Sequence, residues 1–294
     1  MRSIALVLGR SPNTISYELK RCPSGYRACL AKQYARTKLK NRRFQWRKLN
    51  EHHELRKYVV HGLRQGWNPD EIAGKLRQRD GGTISAMSIY SWLHNDVRGE
   101  RYAKHLYMYR FKRKRPRKRG LQGRILNSVS IHERKKVGVG TWETDLVVSS
   151  RSGSGAISTS NERISRYLVA EYVPDHTASS KQKTLQRLTK EFFVESITFD
   201  RGKENSLHYE CSSKTYFCDP YSSYQRGANE NQNKLLRRYF PKGTDFSTVS
   251  RQQLKTVIDK INHKPRKILG YRTATEVAVE LGIIRNPQGV LIEG

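Results

Sequence analysis

Apolar residues recur every three or four positions in the first third of the chain, then gather into short strand-like runs further on. Ile4 to Leu8 predicts a short apolar helix, and Gly9 permits a sharp turn after it. Ser11 followed by Pro12 supplies an N-cap and a proline at the first helical position. Ile15 and Leu19 then form the buried stripe of a second helix. Helix, glycine-containing turn, helix is the helix-turn-helix pattern, and it leaves Thr14, Ser16, Tyr17 and Lys20 to face a DNA groove. Any two-helix hairpin would share the pattern. A helix-turn-helix also needs a further helix over its core, and none is expected upstream of Met1.

Residues 30 to 65 read as a long basic helical stretch with Lys38, Lys40, Arg42, Arg43 and Arg47; a solvated face and a phosphate-contacting face fit it equally. A second bihelical unit follows. Asn68, Pro69 and Glu71 compose a capping box ahead of Ile72, Ala73 and Leu76. Ser85 opens another helix bearing Ile89, Tyr90, Trp92 and Leu93, whose aromatics read as core rather than as base-stacking groups.

From Trp142 the pattern changes. Trp142 to Val148 predicts a strand bounded by Gly138 and Gly140 before it and by 149–155 after it. Arg166 to Val173 and Ser196 to Phe199 predict two more strands, with Lys181 to Phe193 as a helix between them. Tyr216 to Cys218 is a further strand, and Asn229 to Tyr239 a helix stopped by Pro241. Strands alternating with helices predict a mixed α/β core. The segment Ile157 to Glu162, ISTSNE, is polar where an apolar core strand is expected.

Charge narrows the function. Against 26 Asp and Glu stand 57 Lys and Arg, a formal net charge of +31, so an anionic partner is expected. On a polyanion each basic residue can release condensed counterions. The run RFKRKRPRKR from Arg110 to Arg119 cannot bury and reads as a linker stiffened by Pro116. A localisation signal or a solubilising tether would look alike, but between two DNA-contacting regions it reads as phosphate tracking through Arg113, Lys114, Arg115 and Arg117. Cys22, Cys29, Cys211 and Cys218 are paired at gaps of six residues, outside zinc-knuckle spacing, and read as free thiols. With no apolar run of membrane-spanning length and no signal peptide, a soluble intracellular protein is expected.

In so cationic a chain, isolated carboxylates stand out. Asp145 lies in the middle of WETDLVV, where an aspartate is costly unless paired or metal-bound. Glu143 shares its face by the period of two and is a rival for the same role. Asp200 ends its strand before the Gly202 turn, the usual place for a ligand in an open α/β sheet. Glu230, Asn233 and Arg237 line one face of a helix, against Leu235, Leu236, Tyr239 and Phe240 on the other. Glu230 there suits a metal and Arg237 a phosphate, though a first-turn glutamate also complements the helix dipole. Oxygen-only ligands suit Mg²⁺, and two such ions can clamp a phosphodiester displacement.

The segments LGRSPNTISYELKR, WNPDEIAGKL, SIYSWL, TWETDLVV, FDRGKE, DPYSSYQRGANENQNKLLRRYFPKGTDF and NHKPRKILGYRTATEV, in this order, resemble the transposases of the insertion-sequence-30 family. The block from Asp219 to Phe246 is the specific part. The resemblance implies two helical DNA-binding units before a ribonuclease-H-like α/β core with an Asp, Asp, Glu triad. It maps the triad onto Asp145 rather than Glu143, Asp200 and Glu230, with Arg237 as the basic residue two turns after the glutamate. It implies domains at 1–25 (partial helix-turn-helix), 26–105 (second bihelical unit), 106–125 (linker), 126–285 (core) and 286–294 (tail). It further implies two Mg²⁺ or Mn²⁺ ions, double-stranded DNA as transposon ends and target, a homo-oligomer on that DNA, and a place at a bacterial nucleoid. The implied activity is metal-dependent strand cleavage and transfer; the rival is a transposase-derived DNA-binding protein that no longer cuts. Three departures from the family pattern bear on this, one being the polar segment Ile157 to Glu162 where the family has an apolar core strand. The amino terminus is expected to begin inside the helix-turn-helix, and the 29 residues between Asp200 and Glu230 fall short by roughly one helical turn.

Overall fold

The computed structural model describes residues 2–21, 25–43, 48–81, 84–106, 125, 127–134, 136–149, 153–220 and 222–285, with backbone alone at 40–43 and 223–224. The basic run with Arg113, Lys114, Arg115 and Arg117 lies outside the described residues, as do Cys22 and Arg47. The chain divides into two compact units, 1–61 with 84–104 and 62–83 with 105–294.

In the first unit, α1 (Arg2–Val7) and α2 (Pro12–Leu19) are joined through Gly9, whose φ of 58° suits glycine. Ser11 Oγ accepts from the Thr14 amide at 3.2 Å, so the cap expected from the sequence is formed. The apolar stripe is not. Leu19 is 38% exposed and Ile4 48%, while Leu6 and Val7 face solvent and only Ala5 is buried. A two-helix hairpin has one shared face, too small to cover a second stripe. Among the described residues the basic stretch is helical as expected, carrying α3 (Ala28–Arg43), α4 (Lys48–Glu51) and α5 (His53–Arg64). Next in sequence, α6 (Pro69–Asp80) belongs to the second unit and carries the expected capping box, Glu71 accepting from the Asn68 amide at 2.6 Å. Then α7 (Ala86–Asn95) and α8 (Val97–Glu100) return to the first. Trp92 is fully buried, its indole donating to Asn50 Oδ1 at 3.2 Å, so this aromatic is core.

The second unit is built on a five-stranded sheet ordered β3-β2-β1-β4-β5. Its strands are β1 (Thr141–Val148), β2 (Ala156–Glu162), β3 (Leu168–Val173), β4 (Ser196–Phe199) and β5 (Lys214–Phe217). The first three are antiparallel neighbours; β4 and β5 run parallel to β1. The helix α9 (Ala178–Glu191) makes the crossover from β3 to β4. One face packs Val147, Ile157 and Leu168 against α10 (Gly227–Tyr239) and α11 (Arg251–Asn262), through Leu236, Phe240, Leu254 and Ile258. The other packs Trp142 on Leu188 and Phe192, with Ala278 of α12 (Ala274–Glu280). Between α11 and α12, β6 (Pro265–Arg266) and β7 (Arg272–Thr273) pair as a short hairpin. This strand order is that of a ribonuclease-H-like core. Among the described residues no helix is long and apolar enough to cross a membrane.

The polar segment 157–162 forms a strand all the same, and every residue of β2 is buried. Partners make this possible. Glu162 accepts from the Ser165 amide at 2.6 Å, the Ile164 amide at 2.9 Å and the Gly140 amide at 3.2 Å. Asn161 accepts from Gln232 at 2.9 Å, and Ser158 pairs with Thr184 at 3.0 Å. A buried polar group that keeps its hydrogen bonds escapes most of the desolvation cost. Gly140 has φ of 80°, and a Cβ there would meet the Phe193 ring at 2.7 Å. Its carbonyl accepts from the Glu195 amide at 2.8 Å, which locks the start of β1 to that of β4.

Candidate active site

The register of β1 on β4 positions the carboxylates. Glu143 lies opposite Thr198 in a parallel pairing, and two residues further on the same register sets Asp145 beside Asp200. Neighbouring strands are about 4.8 Å apart, so two aspartates so placed must face each other across the gap. Each is anchored by one oxygen. Asp145 Oδ2 accepts from Asn233 Nδ2 at 2.7 Å, and Asp200 Oδ1 from Asn205 Nδ2 at 2.8 Å and the Gly202 amide at 3.1 Å.

The other oxygens meet one cation. Arg226 Nη1 lies 3.5 Å from Asp145 Oδ1, and Nη2 lies 3.1 Å from Asp200 Oδ2. Nη1 also donates to the Thr144 carbonyl at 3.2 Å. Burial works against the guanidinium's charge, but Asp145 and Asp200 together outweigh it and hold its pKa above the ordinary arginine value.

Behind Asp145 lies a second basic group. Lys181 of α9 is buried and donates to Thr144 Oγ1, to Ser158 Oγ at 2.8 Å and to the Asp145 carbonyl at 3.1 Å. Burial brings its pKa down to about 8, against the pull of Asp145, Glu204 and Asp200. Glu204, close to the same group, is pushed up by burial and by Asp200.

Glu143 occupies a different environment. Its carboxylate is fully buried, accepts from the Asn229 amide at 3.0 Å, and faces Arg163 Nε at 3.1 Å. Burial pushes its pKa up against those two partners. It secures the first turn of α10 to β1, whereas Asp145 keeps a partly exposed carboxylate.

Of the residues singled out in the sequence, Asp145, Asp200 and Asn233 come together. Glu230 does not join them: on the exposed side of α10 it pairs with Lys234 at 3.0 Å. Among the described residues no three His, Cys, Asp or Glu side chains are grouped closely enough to hold a metal ion. Arg237 donates to the Val148 carbonyl at 2.9 Å and covers the Phe246 ring at 5.4 Å, so its guanidinium braces the end of β1. In the other unit Thr14 and Lys20 are exposed and Ser16 half-buried. Tyr17 is exposed, with Lys38 donating to its hydroxyl at 3.4 Å. Asp219 ties its loop together through His132 at 2.6 Å and Gln225 at 2.9 Å.

Sequence reasoning misses Arg226, Lys181 and Asn205. Signals exist for two of them. Lys181 stands four and seven residues before Leu185 and Leu188, in the apolar stripe of its helix, where a lysine must be buried. Asn205 follows Asp200 by five residues across a glycine turn. For Arg226 the sequence offers only its place just before α10.

A ribonuclease-H-like sheet with facing carboxylates on adjacent parallel strands defines the class, a polynucleotidyl-transferase type of enzyme. No protein-family model matches the chain. Over 98% of its length it is 35% identical to the transposase for insertion sequence element IS1086 of Cupriavidus metallidurans, covering 90% of that protein. It is 34% identical to the transposase for IS4351 of Bacteroides fragilis, over 94% of this chain and 88% of the relative. To the transposase InsI for IS30A of Escherichia coli it is again 34% identical, over 96% and 79%. Among solved structures, the catalytic core domain of BIV integrase is 20% identical, with a TM-score of 0.39 over 49% of this chain and 95% of that one; the fold assignment rests on the strand order. The chain belongs to the insertion-sequence-30 family of transposases.

Proposed function

We propose that the chain binds the terminal inverted repeats of a mobile element, cuts a phosphodiester bond there, and joins the freed 3′-hydroxyl to target DNA. The observation that carries this reading is the convergence of Asp145 and Asp200 on one cation from adjacent parallel strands. The guanidinium of Arg226 stands where a metal ion would, and carboxylate oxygens are the donors that Mg²⁺ or Mn²⁺ prefers. Asp145 and Asp200 would hold the ions; Glu230 of α10, paired with Lys234 in this structure, would have to leave that partner to serve as third carboxylate. When bound, two such ions supply charge for the attacking and leaving oxygens of an in-line displacement.

The chain's own residues do the positioning. Asn233 fixes the rotamer of Asp145, while Asn205 and the Gly202 amide fix that of Asp200. Thr14, Ser16, Tyr17 and Lys20 would read the repeat, and the basic linker would track phosphates beside it. An element has two ends and each chain one site, so a homo-oligomer on DNA is part of the proposal.

The test is cleavage of DNA carrying the element's ends by the full chain in Mg²⁺. Wild type should nick at the end, and Asp145→Asn, Asp200→Asn and Glu230→Gln should bind the same DNA without nicking it. End-specific binding with no nicking by wild type would replace this proposal with a DNA-binding protein that does not cut.

A further inference from the structure

Each carboxylate of the facing pair has one oxygen committed to neutral donors. Asp145 Oδ2 is taken by Asn233, and Asp200 Oδ1 by Asn205 and the Gly202 amide. The two oxygens left over, Asp145 Oδ1 and Asp200 Oδ2, are the pair that Arg226 spans. A divalent ion bound to them at about 2.0–2.1 Å would lie against the guanidinium, charge against like charge. The two cations exclude each other.

We propose that Arg226 is the resting counter-cation of the carboxylate pair, and that a divalent ion enters only by displacing its guanidinium. The inference rests on the reading of Asp145 and Asp200 as metal ligands. Two carboxylates held face to face without a cation would repel, and one of them would turn away. Arg226 prevents this, because a guanidinium stays charged at any working pH and its fork reaches both oxygens at once. It thus keeps the site in shape while empty and lowers its apparent affinity for metal.

The guanidinium is not sealed in. The Arg226 side chain is 18% exposed, and the residue closes the tight helical turn Ser223–Arg226. A Cβ on the next residue, Gly227, would meet nothing within 4 Å. Once released, the guanidinium remains tethered beside the carboxylates, and its planar fork suits a phosphate oxygen pair. DNA and metal would then each favour the released state, and by linkage each would tighten the binding of the other.

The full chain is titrated with Mn²⁺ by calorimetry as wild type, Arg226→Gln, Arg226→Lys and Asp145→Asn. Arg226→Gln should bind Mn²⁺ tighter than wild type by about tenfold or more, and Arg226→Lys, which keeps the charge, should stay near wild type. Asp145→Asn should lose the binding. Arg226→Gln binding no tighter than wild type, while Asp145→Asn still loses binding, would overturn the role of Arg226. Equal binding by wild type and Asp145→Asn would instead overturn the metal-site reading beneath it. A second measurement needs no variant. Phenylglyoxal labelling of the wild-type peptide containing Arg226, read by mass spectrometry, should rise with Mn²⁺; labelling that falls or stays level counts against displacement.

Discussion

At Lys181 an ammonium is enclosed in the core with three oxygen acceptors, Thr144 Oγ1, Ser158 Oγ and the Asp145 carbonyl. Three acceptors match its three N–H donors, which lets the charge persist inside the fold. Enclosure still favours the neutral amine, and the pKa falls from 10.5 to about 8. Between those values the unfolded chain holds a proton that the folded chain has lost, so stability rises with pH across that window. Below the lower value the charged form carries the whole penalty, about 3 kcal/mol at 1.36 kcal/mol per pKa unit. Lys181→Met removes the titration and keeps most of the volume. Urea unfolding of both chains in a chelating buffer, from about pH 7.5 to pH 10.5, should show wild type gaining up to about 3 kcal/mol on the variant. A gap that stays constant with pH would mean that Lys181 is not enclosed as described.

Among the elements, α10 decides whether the site assembles, and Glu143 decides where α10 sits. Its carboxylate accepts the Asn229 amide in the first turn of the helix and faces Arg163 across β1. Glu143→Ala leaves both groups without that partner. Breaking a buried pair costs about 3–5 kcal/mol, and this one belongs at the low end because the Arg163 side chain is 29% exposed and can turn to water. The urea midpoint should fall with an unchanged m value, and Mn²⁺ affinity should fall with it, since Asn233 on the same helix anchors Asp145. Glu143→Gln keeps an acceptor for Asn229 and should lose less. An Ala variant as stable as wild type would sink this account. The edges of β1 and β4 are legible in the sequence to within a residue, because β1 is a short apolar run between glycines and β4 one that ends at a polar Asp-Arg-Gly turn. The carboxylates on them are legible for the same reason, as they break that pattern. Arg226 is not, because its role comes from a β1–β4 pairing and a loop return that bring positions 145, 200 and 226 to one point. Nor is the burial of β2, whose polar residues are sustained by Gln232, Thr184 and a turn at Ser165.

On the scale of the whole molecule, a net charge of +31 sets how the chain meets DNA. Much of that charge is sequence-blind, since phosphate contacts release counterions wherever they form. On the proposed function, reading a particular end would fall to a few side chains in the first unit, Thr14, Ser16, Tyr17 and Lys20, carried on a hairpin whose Leu19 and Ile4 remain exposed. The two contributions separate experimentally. Replacing Arg113, Lys114, Arg115 and Arg117 with Gln should weaken binding to end DNA and to unrelated DNA by the same factor. If each contacts one phosphate, the slope of log K against log salt should become shallower by up to about 3.6, from 0.9 per phosphate over four. The ratio of end to unrelated affinity should not change. Tyr17→Ala with Lys20→Ala should do the reverse, lowering that ratio while shifting the slope by no more than about one. Fluorescence anisotropy on both DNAs at four salt concentrations measures all of this. A slope untouched by the four linker changes would make the linker a passive tether, and the charge that holds DNA would then lie elsewhere in the chain.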